Sequence, residues 1–409
     1  MDTTERLELK EKGRVVNMSK LLAPLALVIV YAFFAIFGRN FFSYTTLVNI
    51  LDSSYYIGFI AIGVTFVIIT GGIDLSCGTV MMASTIIGGT AFKTWGWPMW
   101  LALLLVLLVS TAFGFFNGFM VSHLSLPPFI ATLGTMMISL GIGSIVSNVR
   151  SVAFPARGAP DSWFKSLFKY NTAGNFSIPT GAIVLFGTAF IAFLILTRTK
   201  MGRYIFAVGS NKEAARLSGV NVTRWEMSAY VISGLLAGVG GIGFAAVYTT
   251  VMPAQGQGFE LYAIAGAVIG GTSLSGGAGS VLGTMIGVYI MSVLRTGLPS
   301  MNLQSQYQTF FTGVVVLGAV LLDIYRNKKA TEIKILAPSD QYRIDKQLEV
   351  EALRGQINVA SATKKRALRE ELKVLQAEIR KNYQEMKRAE KAQAEALERE
   401  EKEFEKREN

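Results

Sequence analysis

Five carboxylates fall within or beside long apolar runs: Asp52, Asp74, Glu226, Glu260 and Asp323. An ionisable group at membrane depth is costly to bury, so each is a functional candidate by default. Most of the five lie near the ends of their runs, where water is expected to reach them, and a proton relay is not compelled. Asp74 stands apart: it sits inside a Gly-rich turn, two residues before Ser76, where a carboxylate can cap the next helix or serve a gate. The chain has no G-x-x-x-x-G-K-[ST] phosphate loop, metal-ligand cluster or catalytic dyad. Cys77 is the only cysteine and His123 the only histidine, which excludes an internal disulfide, a histidine-rich metal site and a Ser/His catalytic pair. The pattern argues against an enzyme and against a cofactor or metal bound by this chain.

A basic loop, 198–224, is more informative than any single acid. It carries Arg198, Lys200, Arg203, Lys212, Arg216 and Arg224 against one acid, Glu213. Its order reads as an extended arm through Gly202, Arg203 and Gly209, a turn, and a short helix. Asn211 suits an N-cap, Glu213, Ala214, Ala215, Arg216 and Leu217 are good helix formers, and Gly219 can end the helix left-handed. Two turns of helix are unstable alone in water. A docking surface is therefore expected, either the chain's own underside or another protein.

The elements that must position these residues are membrane spans. The chain is 51% hydrophobic and 16% charged over 409 residues, with mean hydropathy +0.42, beyond the range of an ordinary water-soluble domain. Apolar runs at 21–37, 47–70, 98–122, 129–149, 179–197, 225–250 and 307–323 suit spanning helices of about 20 residues. Shorter Gly-rich runs at 79–92, 260–274 and 280–294 bring the count to about ten; eight is the alternative if short runs are re-entrant. The expected fold is an all-α polytopic transmembrane bundle over 21–326, preceded by a cytoplasmic segment, 1–20, and followed by a charged cytoplasmic helical extension, 327–409.

Orientation follows from cations near the span ends. Arg6, Lys10, Lys12, Arg14 and Lys20 precede the first run, and Arg326, Lys328 and Lys329 follow the last. Both termini and the 198–224 loop are then cytoplasmic. The loop 150–178, with Arg150, Arg157, Lys165 and Lys169, argues the other way. The net charge of +11 sits on short segments flanking spans and fits a membrane better than nucleic acid.

The chain also echoes itself. Gly71-Gly72-Ile73-Asp74-Leu75-Ser76-Cys77-Gly78 and Gly270-Gly271-Thr272-Ser273-Leu274-Ser275-Gly276-Gly277 share the pattern G-G-x-x-L-S-x-G. Paired Gly-interrupted segments line transport routes, or allow tight helix packing. In the tail, Leu368, Leu372, Leu375, Ile379, Asn382, Met386 and Ala389 follow coiled-coil spacing. A solvated helix, self-association and a hairpin bending at 355–361 are the open alternatives.

Together the loop, Gly71 to Ser76, the Pro128-Phe129-Ile130-Ala131-Thr132-Leu133-Gly134-Thr135 stretch and the run from Gly258-Phe259-Glu260-Leu261-Tyr262 through Leu274 resemble the permeases of ribose-, xylose-, arabinose- and galactoside-type ABC importers. The similarity covers about residues 20–326. It implies a bacterial inner-membrane permease that pairs with a second permease subunit. Two ATP-binding subunits, which use ATP and Mg, would dock at the cytoplasmic loops, and an extracytoplasmic sugar-binding protein would deliver a pentose or hexose. Coupling would fall on Gly202, Arg203, Gly209, Asn211, Glu213, Ala214, Ala215, Arg216, Leu217 and Gly219. Candidates for the path or gate are Asn49, Gly72, Asp74, Ser76, Phe129, Thr132, Glu260, Tyr262, Gly271 and Ser273. Two features depart from the resemblance: Tyr262 stands where relatives often carry an acid, and the charged tail is foreign to it. Rival readings are a nucleoside or furanone cargo on the same machine, an ion-coupled secondary transporter, and a membrane scaffold.

Overall fold

The computed structural model describes residues 22–171, 176–331, 338–359 and 362–408; the segment 1–20 lies outside them. Ten apolar helices make up the membrane part: α1 (Leu22–Phe37), α2 (Tyr44–Ile69), α3 (Cys77–Lys93), α4 (Met99–Ser122), α5 (Pro128–Val146), α6 (Gly181–Arg198), α9 (Val222–Tyr248), α10 (Phe259–Ile269), α11 (Val281–Ser300) and α12 (Ser305–Thr331). Between α6 and α9 lie α7 (Lys200–Ser210) and α8 (Lys212–Leu217). Among the described residues seven helices are long and apolar enough to cross a membrane; α1, α3 and α10 are shorter. The run expected at 280–294 is a full-length helix of 20 residues, α11. That expected at 260–274 contracts to 11 residues, because the glycines after Ile269 end α10.

The core is built around α2, whose spanning window is wholly buried. It packs on α9, α11, α10 and α6, while α4 lies along α9 and α3 contacts α4, α5 and α9. The chain runs back and forth between two ends, one bearing α7 and α8. The last residues of α1 meet the end of α11, with Arg39 N–H donating to Ser300 O at 2.8 Å. At the opposite end, Leu274 N–H donates to Asp323 of α12 at 3.0 Å. The start of α1 and the end of α12 therefore share the α7–α8 end.

The far end carries residues 147–171 and 176–180, with a 3-10 helix at Pro160–Leu167 and two short antiparallel pairs. β1 (Val152–Ala153) pairs with β4 (Thr250–Val251), and β2 (Tyr170–Asn171) with β3 (Ser177–Ile178). Its lysines are engaged by the protein. Lys169 Nζ pairs with Asp52 Oδ2 at 2.5 Å, and buried Lys165 donates to Thr249 Oγ1 at 2.8 Å. These two cations hold the loop to α2 and to the end of α9, so their weight as topology signals falls away.

Burial pushes the Lys165 amine down to about 8 from its ordinary 10.5, with Arg157 adding repulsion. Between these two values the unfolded chain holds a proton that the folded one has released. Stability therefore rises with pH across that window. Thermal unfolding in detergent should show the midpoint climbing over this range, and Lys165→Met should flatten the climb.

The second compact unit contains the described residues from Ala330 onward. Here α13 (Pro338–Val359) packs along α14 (Ala362–Glu408) as a helical hairpin. The 3.5-residue seam of Leu368, Leu372, Leu375, Ile379, Asn382 and Met386 is half-buried, whereas Ala389 is exposed. Asn382 interrupts the apolar seam and donates to Tyr342 Oη at 2.9 Å, so the hairpin replaces the solvated single helix. Gly355 lies inside α13, and the helices separate only after Val359.

Candidate functional site

The segment expected to be extended before Asn211 is helical. α7 is an 11-residue helix capped by Thr199, whose Oγ1 accepts from Gly202 N–H at 3.3 Å. Tyr204, Ile205, Phe206 and Val208 carry strand propensity, but Gly202, Ile205 and Val208 recur every three residues and are all buried, so packing overrides local preference. Asn211 then caps α8, its Oδ1 accepting from Ala214 N–H at 2.9 Å, and Gly219 follows with φ +80°. Asn221 caps α9 in the same way through Arg224 N–H at 3.0 Å.

Only Ala215 of α8 is buried, against Val208 and Val222. Lys212 reaches Glu226 of α9 at 2.7 Å. The rest of α8 faces outward. Glu213 and Arg216 form an exposed pair at 3.6 Å, Arg203 is exposed, and Leu217 is 88% exposed.

Behind the arm formed by α7 and α8 lie the two repeated turns. α2 ends with Gly72 N–H bonding Val67 O (3.1 Å) and Gly71 N–H bonding Ile68 O (2.8 Å); α10 ends with Thr272 N–H to Ala267 O and Gly271 N–H to Val268 O, both 2.9 Å. Gly71 and Gly271 take φ +82° and +93°, as this helix ending requires. Each turn then closes through a side chain. Asp74 Oδ1 accepts from Ser76 N–H at 2.9 Å, and Ser273 Oγ accepts from Ser275 N–H at 3.3 Å. The second turn is one residue shorter between its left-handed glycine and its capping residue. It draws its carboxylate from α12, through Asp323.

The two turns and the arm meet backbone to backbone. Gly277 N–H donates to Ile69 O at 2.9 Å, so the second turn caps α2. Gly209 lies flush on this bond: a Cβ there would fall on the Ile69 carbonyl and within 2.7 Å of Gly277 N. A Cβ on Gly276 would stand 2.8 Å from Gly209 O and 3.0 Å from Gly71 N. A displacement of the arm therefore reaches both turns at once, without an intervening side chain.

Asp74 anchors a buried network at the start of α3. Its Oδ1 also accepts from Ser76 Oγ and its Oδ2 from Ser233 Oγ of α9, both at 2.7 Å. Asn117 of α4 donates to Ser76 Oγ at 2.8 Å, and Thr132 of α5 places Oγ1 3.2 Å from Ile73 O. Gly72 packs under Tyr230. Glu260 accepts from Gly258 N–H through both oxygens, at 3.0 and 3.1 Å, and Gly78 of α3 packs against the same carboxylate. Two helix N-termini thus share one acid.

The expectation that the acids are hydrated is corrected. Asp52, Asp74, Glu226, Glu260 and Asp323 are all buried, and each meets a protein donor, as buried carboxylates must. Of the path candidates, Gly72, Asp74, Ser76, Thr132, Glu260, Gly271 and Ser273 fall at the broken helices. Asn49 and Phe129 are exposed on α2 and α5 and do not join them. Tyr262 lies under Arg295 of α11, at 5.4 Å from its ring centre. In the sequence Arg295 falls just past the apolar run 280–294 and reads as its end; a lone cation inside a span is the available signal. Asn117 and Ser233 carried no signal among many small polar residues.

The branched-chain amino acid transport system / permease component family matches residues 46–320, the segment that contains both turns and the arm. The chain belongs to this permease-component family. Among curated proteins the permease is similar to the fructose import permease protein FrcC of Rhizobium meliloti, 34% identical over 334 residues that cover 80% of this chain and 92% of the relative. It is also similar to the ribose import permease protein RbsC of Escherichia coli K12, 36% identical over 313 residues covering 75% and 92%. The autoinducer 2 import system permease protein LsrC of Yersinia enterocolitica is 32% identical over 302 residues, covering 74% and 81%. No solved structure matches the chain. The permease is thus a multi-pass membrane component of a transport system. The family match stops short of α13 and α14.

Proposed function

We propose that the chain is the membrane subunit of an ABC importer that passes a pentose or hexose inward. In this reading it pairs with a second permease subunit, binds no nucleotide itself, and receives substrate from an extracytoplasmic binding protein. A separate ATP-binding subunit, using ATP and Mg, docks on α8. The observation that carries the reading is the contact of Gly209 with Ile69 and Gly277, which makes the arm a lever on both broken helices. Relatives named for fructose and ribose import favour a sugar cargo over a nucleoside or furanone. In this reading the arm, the start of α1 and the end of α12 face the cytoplasm, which Arg198, Lys200, Arg203 and Arg224 around the arm support.

Each of the five buried acids meets a protein donor, which supports a structural use of these carboxylates over a proton relay among the described residues. Closure of the ATPase pair would push α8 and, through Gly209, rock α2 against the α10–α11 turn. Substrate would then pass by alternating access. Proteoliposomes holding the permease, its ATP-binding subunit and loaded binding protein should take up ribose or fructose only with ATP. Uptake that persists without ATP on an ion gradient contradicts the reading.

A further inference from the structure

Arg295 lies fifteen residues into the 20-residue helix α11, about 8 Å from its end at 1.5 Å per residue. A side chain at that depth could snorkel toward the end of its span. Instead its guanidinium lies over three rings: Tyr56 of α2 at 5.5 Å, Phe259 at 5.2 Å and Tyr262 at 5.4 Å, the last two on α10. Tyr248, 42% exposed, continues the cluster, 6.0 Å from the ring of Tyr56. No carboxylate among the described residues neutralises this arginine. One turn earlier in α11, the buried hydroxyl of Ser292 has no hydrogen-bond partner.

Arg295 is only partly buried. A part-exposed cation at membrane depth does not face lipid tails; it faces a partner or a water-filled route. The three rings surround the guanidinium and Tyr262 takes one of its hydrogen bonds, leaving the remaining N–H donors for other acceptors. A planar fork of donors beside aromatic faces suits vicinal hydroxyls on one side of a sugar ring and its C–H surface on the other. We propose that Arg295, with Tyr248 and Tyr262, forms a contact site for a monosaccharide on the permease's own route. This rests on the sugar-import reading and places recognition within the membrane part as well as in the binding protein. Tyr262 then has a defined consequence: an acid at that position would pair with Arg295 and occupy the donors a sugar uses.

The test uses Leu261→Cys, at the partly exposed position beside Tyr262, in the full chain in nanodiscs; native Cys77 is buried and does not compete for reagent. Ribose or fructose at millimolar concentration should slow thiol labelling at least about twofold. Arg295→Gln should abolish that protection without changing labelling in the absence of sugar. Arg295→Lys, which keeps charge but loses the fork, should protect only weakly. Equal protection in the Gln variant overturns the proposal. So does absence of protection by a sugar that the complete transporter takes up. Dissociation of a permease dimer on Arg295→Gln would reassign the arginine to an interface between copies and also overturn it. Failure of the sugar reading shows separately, as no ATP-driven uptake of any monosaccharide by the wild-type transporter.

Discussion

Replacing Gly209 with alanine should lower ATP-driven uptake about tenfold or more, equivalent to at least about 1.4 kcal/mol in the coupled step, while the ATP-binding subunit stays bound. The added methyl would fall on the Ile69 carbonyl and crowd Gly277 N. The Gly277 to Ile69 hydrogen bond must then stretch or break, leaving a helix-end carbonyl unsatisfied at a cost of about 1–3 kcal/mol. The cap of α8 at Asn211 and the packing of Ala215 on Val222 lie beyond the substitution. Steady-state uptake, ATPase activity and co-purification separate the outcomes. Loss of uptake with retained ATP hydrolysis is the expected signature of an arm that moves without moving the turns.

The second large effect falls on stability. Asp74→Ala removes the acceptor for Ser76 N–H, Ser76 Oγ and Ser233 Oγ together, and α3, α4 and α9 lose their common anchor. Leaving buried donors unpaired in this way should destabilise the permease by about 3 kcal/mol. Asp74→Asn keeps an acceptor for Ser76 and should cost less than half as much. Thermal unfolding in detergent, with dispersity followed by size exclusion, distinguishes the two. An Ala variant as stable as wild type would contradict the anchoring role of this acid.

The part of this architecture written locally was readable from sequence. The apolar runs predict the long helices, and the caps at Asn211 and Gly219 appear as expected because a side-chain amide and a left-handed glycine act within a few residues. The repeated G-G-x-x-L-S-x-G pattern marks two turns that close by the same side-chain bond at Asp74 and Ser273. What sequence could not supply was partnership across the fold. α7 is a helix because Gly202, Ile205 and Val208 bury one face, and strand-forming residues between them conceal that periodicity. Asp323 closes a turn 49 residues before it, and Lys169 meets Asp52 across 117 residues. Spacing alone does not encode such pairs. Arg295 was hidden differently, since a charge near the edge of an apolar run reads as the end of a span until the helix is seen to continue past it.

Drive from a separate ATPase is proposed to enter at α8. Leu217 is its most exposed apolar residue, and with Cys77 buried a single introduced thiol at this position reports on that surface alone. In the reconstituted complex, Leu217→Cys should be protected from a membrane-impermeant thiol reagent when the ATP-binding subunit is present and labelled rapidly when it is removed. Labelling at the same rate with and without that subunit, in vesicles that carry out ATP-driven uptake, would contradict the account.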